Sequence, residues 1–487
     1  MRSDPQESVK ILFVAAEAAP LIKIGGLGDY IGSLPKALLE ATQNHNTDIA
    51  LDIRIAVPYT KMMDTRFLET TNVVSFLSQH GTEKNIFQVY ATSFDSITYY
   101  ILENKDLEEQ QDVVYTADPS EDGEKFIAFS LACLDLMQHI GWRADIIHAN
   151  DWQTGAICSA LKKANHISPH KIKSVFVIHN LPYMGTGAEP FIQKYKISGA
   201  QGKAVPEWGK YLPLVVGIDN ADQVITVSPR YAEEILTPQF GNDLQDYLST
   251  KKKKIIGILN GIDDQIWNPE TDSFIQKQFN SENMEARKEN KVFIQQSLGF
   301  QIEPDIPLLV MVSRLDRQKG IRLLCDTLRH FKNEKWQAVI LGTGSRDQEE
   351  LVYALEKTFP DTVRFLNRFD SSFSHQLPAG GDIFLMPSLY EPCGISQMIA
   401  MRYGCIPIAH AVGGLVDSID ENEESRTGFL FHQPERDAFL GALEQAFQQY
   451  QKPLKWSKIQ KRAMQKDFSW KKSAEEYLKV YRKLLRT

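Results

Sequence analysis

Residues 388–414 read SLYEPCGISQMIAMRYGCIPIAHAVGG, and the rest of the chain is organised around them. A short apolar strand over 383–386 runs into Pro387, and Glu391 follows in the turn. Cys393-Gly394 lets the backbone fold tightly, and a helix is predicted from about Ile395. The first turn of a helix has unpaired N–H groups at its positive end. The amides of Gly394, Ile395 and Ser396 therefore suit a phosphate, and Glu391 is left facing whatever that phosphate carries. Sugar hydroxyls suit such a carboxylate. Gly404 closes the helix, CIPIAH at 405–410 is the next strand, and Gly413-Gly414 admits a second backbone at close range. Taken alone, these residues equally describe an ordinary strand-turn-helix in which the glutamate only caps the helix.

The flanking sequence repeats the pattern. PLLVMVSRL (307–315) is a buried strand ending in Arg314, DRQKG supplies Lys319, and a helix is expected over 321–331. QAVILGTG, TVRFLNRF, DIFLMPS, CIPIAH and TGFLF are further strands separated by helices. The first half begins with KILFVAA (10–16), an apolar run of the kind found inside a parallel sheet. A glycine-rich stretch, IKIGGLGD, then leads into a helix expected near Asp29. A dinucleotide fingerprint needs glycines spaced G-x-G-x-x-G; from Gly26 and Gly28 the third place falls on Ile31, so that reading fails. What remains is a flexible loop able to set backbone amides and Lys23 beside phosphates.

Two later strands end in polar residues, ADIIHANDWQTG at Asp151, read as the cap of the next helix, and SVFVIHN at His179-Asn180. Ligands of open parallel sheets collect beyond the carboxyl ends of strands, so these residues are expected in one crevice. The stretch 103–124 is acidic and reads as a surface loop before a helix over 125–139. The lysines at 251–254 read as a solvated linker face. Strands alternating with helices in both halves imply an α/β protein with two doubly wound parallel-sheet domains. The expected boundaries are 1–250, 251–465 and a final segment 466–487, whose helix carries a stripe at Tyr477, Val480, Tyr481, Leu484 and Leu485.

Composition bounds the function. A chain of 487 residues exceeds what one core usually fills, and 43% hydrophobic with 24% charged residues is ordinary for a globular protein. No apolar run approaches the ~20 residues that span a bilayer, so no membrane role is expected. The polar start MRSDPQESVK suggests neither a signal nor a transit peptide, and the five scattered cysteines suit a reducing, cytoplasmic compartment without a metal site. A net charge of -8 argues against nucleic acid as partner. An anionic substrate must then be met by local cations such as Arg314 and Lys319.

With these motifs in place, KIGGLGD, HANDW, IHNLPYMG, ITVSPRYAEEI, LNGIDDQIWNPETD, SRLDRQKG, EPCG and YGCIPI, in this order, resemble the bacterial glycogen synthase and plant starch synthase family (glycosyltransferase family 5). The resemblance covers nearly the whole chain. It implies the GT-B arrangement, two Rossmann-like domains facing a cleft with a C-terminal helix crossing back to the first. It also implies retaining transfer of glucose from ADP-glucose, preferred over UDP-glucose, to an α-1,4-glucan or maltooligosaccharide acceptor, without a cofactor or metal. By position it makes His179, Arg314, Lys319 and Glu391 the catalytic set. Lys23, Gly25, Gly26, Asp29, Asn260, Phe369, Cys393, Gly394, Ile395 and Ser396 become donor-binding, with Phe369 against the adenine, and Asp151 lies on the acceptor side.

The sequence departs from the family pattern at Asn150 and Gln153, where the family carries histidines. It also lacks the family's lysine before the ADxxxTVSP strand. These departures lie in the first domain. A second reading therefore stands beside the enzyme: a synthase-like protein with weak catalysis that binds glucan or nucleotide-sugar as a priming or regulatory partner, or a related transferase with another acceptor.

Overall fold

The computed structural model describes residues 8–44, 49–64, 70–168, 170–332 and 334–486, which form two compact units. One runs to Ile258 and resumes at Trp470; the other is Leu259–Ser469.

The sheet of the first unit contains β1 (Val9–Val14), β2 (Leu51–Pro58), β3 (Thr71–His80), β4 (Glu83–Phe94), β5 (Ile97–Asn104), β6 (Ile146–Asn150), β7 (Lys173–Ile178), β8 (Gln223–Thr226) and β9 (Ile255–Gly257). Their order is β3-β4-β5-β2-β1-β6-β7-β8-β9. The strands are parallel except around β4, which pairs antiparallel with β3 and β5. Ile11, Phe13, Val14, Ile146, Ile147, Val175, Phe176 and Val177 have no exposed surface, as expected where helices cover both faces of a central parallel strand. The second sheet is parallel, β12-β11-β10-β13-β14-β15, from β10 (Leu308–Val312), β11 (Gln337–Leu341), β12 (Val363–Leu366), β13 (Ile383–Met386), β14 (Ile406–His410) and β15 (Phe429–Phe431).

Several expectations need correction. The lysine run is not a linker: it lies inside the first unit, ahead of β9, which completes the sheet, and the chain passes to the second unit after Ile258. Lys251 pairs with Asp219 at 2.6 Å, and Lys254 donates to the Asp219 and Ala221 carbonyls, its pKa pushed down to about 8 by burial. The acidic stretch is only partly loop, because the helix Pro119–His139 starts six residues before the expected Lys125. Asp118 caps it by accepting from the Ser120 amide at 2.8 Å, and Pro119 occupies the first turn, where its missing N–H costs nothing.

The C-terminal helix Trp470–Leu485 lies on the helix Gly26–Asn44 in the first unit. Its buried face includes Trp470, Ala474, Tyr477, Leu478, Val480, Tyr481 and Leu484, whereas Leu485, expected in the stripe, is 39% exposed. Burial of each large aliphatic here is worth roughly 1.5–3 kcal/mol, so this face anchors the segment firmly. Among the described residues no helix is long and apolar enough to cross a membrane.

Candidate active site

The site residues fall into two groups, one per unit. In the first unit β1, β6 and β7 are neighbours, so their carboxyl ends bring Glu17, Asn150, Asp151 and His179 to the same edge of the sheet. Asp151 does not cap the following turn. Its backbone sits at φ 55, an uncommon value for a residue with a side chain, and Oδ1 accepts the His179 amide at 2.8 Å. Burial pushes its carboxyl up to about 7 against the pull of the His179 and Asn180 amides.

The Asn150 amide fixes the His179 tautomer. Its Nδ2 donates to the carbonyls of Val14 and His148, both at 3.1 Å, which leaves Oδ1 facing His179 Nε2 at 3.1 Å. An amide oxygen only accepts, so the imidazole proton sits on Nε2 and Nδ1 keeps the lone pair. Burial lowers the His179 pKa to about 3, which makes the ring neutral at ordinary pH. Tyr30 meets it edge-on at 4.6 Å. The Tyr30 hydroxyl lies 2.9 Å from His148 Nε2 and donates to Tyr477 at 2.9 Å, while His148 Nδ1 lies 2.7 Å from the Tyr481 hydroxyl. The C-terminal helix thereby reaches the surroundings of His179.

The glycine-rich loop corrects one expectation. The Gly25 amide is not presented to a ligand, because it and the Ile24 amide donate to Glu17 Oε2 at 2.9 and 2.5 Å. Lys23 is 55% exposed and lies 2.8 Å from Asp29, on the first turn of the helix that begins at Gly26.

In the second unit two strand ends are joined directly. β10 and β13 are neighbours, and Gly320, at φ 67, meets Pro387 so closely that a Cβ would lie 1.9 Å from the Pro387 carbonyl. The turn after β10 is thus docked on the turn after β13: Leu389 N donates to the Gln318 carbonyl at 2.7 Å. Lys319 Nζ reaches Glu391 Oε2 at 2.6 Å, and Ser388 Oγ donates to the same oxygen at 3.0 Å. Glu391, expected to face whatever a bound phosphate carries, is only 6% exposed. Arg314 lies on the same turn, 66% exposed and 3.3 Å from Asp316, which itself caps the Lys319 amide.

The turn at 391–396 is held from behind. Gly394 has φ 67, and the fully buried Gln397 donates to the Cys393 and Gly394 carbonyls at 3.2 and 2.8 Å. With these carbonyls drawn inward, Gly394, Ile395 and Ser396 form the half-buried rim ahead of the helix Ser396–Arg402. The Asn260 backbone N–H donates to the Cys393 sulfur, and burial pushes the thiol's pKa up to about 12. Gly413 and Gly414 pass so close that added Cβ atoms would stand 2.0 Å from the Glu391 carbonyl and 2.1 Å from that of Cys393. Phe369 is not brought to this cluster by any contact seen; it is 89% exposed beside the Asp370 cap of the helix Ser371–Gly380.

Glu17, Tyr30, Ser388 and Gln397 join the site only through the fold. Glu17 alone carried a signal, a carboxylate immediately after an apolar strand. Among the described residues no group of three or more His, Cys, Asp or Glu is placed to hold a metal ion.

Comparison with known proteins bears on both units. Residues 10–250 match the family described as starch synthase catalytic domain, and residues 295–463 match glycosyl transferases group 1. The chain is 36% identical to a glycogen synthase of Streptococcus agalactiae serotype Ia over 486 residues, covering 98% of this chain and 100% of the other. It is 35% identical to a glycogen synthase of Alkaliphilus metalliredigens over 486 residues, with the same coverage. The solved catalytic domain of starch synthase IV from Arabidopsis thaliana, bound to ADP and acarbose, is similar with a TM-score of 0.85 and 30% identity, covering 99% of this chain and 100% of that one.

Proposed function

The chain belongs to the glycogen and starch synthase family of glucosyltransferases, and we propose on that premise that it transfers glucose from ADP-glucose, with retention, to the non-reducing end of an α-1,4-glucan. It is a hexosyltransferase of the GT-B fold. The ADP and acarbose held by the starch synthase IV domain support a nucleotide-sugar donor and a glucan or maltooligosaccharide acceptor. The observation that carries the proposal is the pairing of Lys319 with Glu391 at 2.6 Å beside Arg314, on two turns locked together by Gly320.

In this proposal Arg314 and Lys319 take up the charge that develops on the departing diphosphate. Fixed cations and turn amides around Gly394, Ile395 and Ser396 stabilise that charge without reorganising, so transfer needs neither metal nor cofactor. Glu391, oriented by Lys319 and Ser388, accepts from hydroxyls of the transferred glucose. The family resemblance gives neutral His179 a hydrogen bond to a sugar hydroxyl, and Asp151 fixes the loop that carries it. Lys23, Gly26 and Asn260 complete the donor contacts, and Phe369 stacks on the adenine. A cytoplasmic place of action is supported by five free, buried cysteines.

The test is nucleotide release from ADP-glucose and from UDP-glucose, each with glycogen and with maltooligosaccharides, with and without a strong chelator. Faster release from ADP-glucose, dependent on glucan and indifferent to chelator, is expected. Preference for UDP-glucose, or a loss restored by magnesium, contradicts the proposal.

A further inference from the structure

Glu17 is 2% exposed, yet no cation is seen against it among the described residues. Its charge is met by three donors: the Ile24 and Gly25 amides on Oε2, at 2.5 and 2.9 Å, and the Tyr115 hydroxyl on Oε1 at 2.9 Å. Charge-assisted bonds of this kind are about twice as strong as neutral ones, and a buried carboxylate needs them. The backbone closes over the carboxylate. A Cβ on Gly28 would lie 3.0 Å from Oε2 and 3.1 Å from Lys23 Cα, and the Ala19 amide bonds the Gly28 carbonyl at 3.1 Å.

Tyr115 is itself held in place. The side chain of Lys125, 5% exposed, donates to the carbonyls of Gln110, Val113 and Val114 and pairs with Asp122 at 3.0 Å. Asp122 Oδ1 also accepts the Thr116 amide at 3.0 Å. The chain on either side of Tyr115 is therefore tied to the helix Pro119–His139, and its hydroxyl is a fixed post.

We propose that Glu17, fixed by Tyr115, is the positioning residue of the Lys23–Gly26 loop: by drawing the Ile24 and Gly25 amides into the protein it turns Lys23 and the exposed first turn at Gly26 toward the donor's phosphates. The two residues act through the loop and touch no substrate. A loop of this composition, with Gly25, Gly26 and Gly28 within four residues, has many backbone states, and ordering it in advance removes an entropy cost otherwise met on binding. The inference rests on the donor reading given above.

The experiment is titration of the full chain with ADP, together with amide hydrogen exchange at Ile24 and Gly25, for the wild type, Tyr115→Phe, Glu17→Gln and Glu17→Ala. In Tyr115→Phe the two amides should exchange faster, ADP affinity should fall about fivefold, as for loss of one hydrogen bond, and KM for ADP-glucose should rise with kcat within about twofold. Glu17→Gln keeps an acceptor for both amides and should stay within about threefold of the wild type, while Glu17→Ala should lose about tenfold or more. If Glu17→Ala does not fold, the other two variants decide the matter. Faster exchange in Tyr115→Phe with unchanged ADP affinity overturns the inference and leaves the donor reading intact. Tighter ADP binding by Glu17→Gln also overturns it, because the carboxylate then competes with phosphate. Absence of ADP binding by the wild type overturns the donor reading and this inference together.

Discussion

Lys319 and Glu391, 72 residues apart in sequence, form an ion pair of 2.6 Å between side chains that are 17% and 7% exposed. Removing one partner of a buried pair leaves the other charge uncompensated, at a cost of about 3–5 kcal/mol. The cost here lies toward the lower end, since Lys319 retains some contact with solvent.

Lys319→Ala should therefore lower both stability and activity, whereas Arg314→Ala, at a side chain 66% exposed, should leave stability within about 0.5 kcal/mol. Both should lower turnover by about two to three powers of ten, as for loss of one preorganised donor to the transition state. Donor affinity should fall less than turnover. Equal losses would mean that the cations only bind the ground state, and unchanged turnover would remove them from the mechanism. Denaturant titration and steady-state kinetics on both variants decide this.

Asp151 and His179 contribute in opposite senses to the pH dependence of stability. Asp151, held up to about 7 in the folded chain, contributes stability below its unfolded pKa of about 3.9 that is lost as the pH rises to about 7. His179, held down to about 3, is protonated in the unfolded chain below about 6.5 but not in the folded one, so its contribution grows as the pH rises from about 3 to 6.5. Asp151→Asn removes the falling part. The thermal midpoint of that variant should climb more steeply between about pH 4 and 6.5 than that of the wild type; an equal or shallower slope contradicts the assignment.

His148 is fully buried between the Tyr30 and Tyr481 hydroxyls, at 2.9 and 2.7 Å. Tyr481→Phe takes away one of these partners and leaves a ring nitrogen unsatisfied, which should cost about 1–3 kcal/mol. Denaturant unfolding measures it. A loss below about 0.5 kcal/mol would mean that the C-terminal helix does not depend on this contact.

The family resemblance puts histidines at the places of Asn150 and Gln153, and among the described residues Gln153 Oε1 is buried without a hydrogen-bond partner. Both lie in the first unit, while Arg314, Lys319 and Glu391 lie in the second. Nucleotide capture should be ordinary and glycogen elongation slower than in family members that keep both histidines. Titration of ADP beside an elongation assay, with Asn150→His as a further arm, tests this: full elongation by the wild type would make the replacements neutral.

What could be read from the sequence was local. The strand at 383–386 was evident because four buried apolar residues run into Pro387. The helix start at Pro119 was obscured by acidic residues that read as loop, although Asp118-Pro119 is itself a capping signal. The Lys319–Glu391 pair was beyond reach because it depends on β10 lying beside β13, a fact of topology with no periodicity to betray it. The Glu17 contacts depend on a loop folding back over seven and eight residues, and glycine-rich sequence leaves that path open. Lysines 251–254 read as solvated because charge is normally exposed; the Asp219 that holds two of them is 32 to 35 residues away.

The most direct measurement is the stoichiometry and linkage of the product formed from ADP-glucose and a maltooligosaccharide of defined length, with the released ADP counted and the new glycosidic bond identified by NMR. One α-1,4-linked glucosyl unit at the non-reducing end for each ADP released is the predicted result. A β-linked product, or ADP released without lengthening of the glucan, would contradict retaining glucosyl transfer.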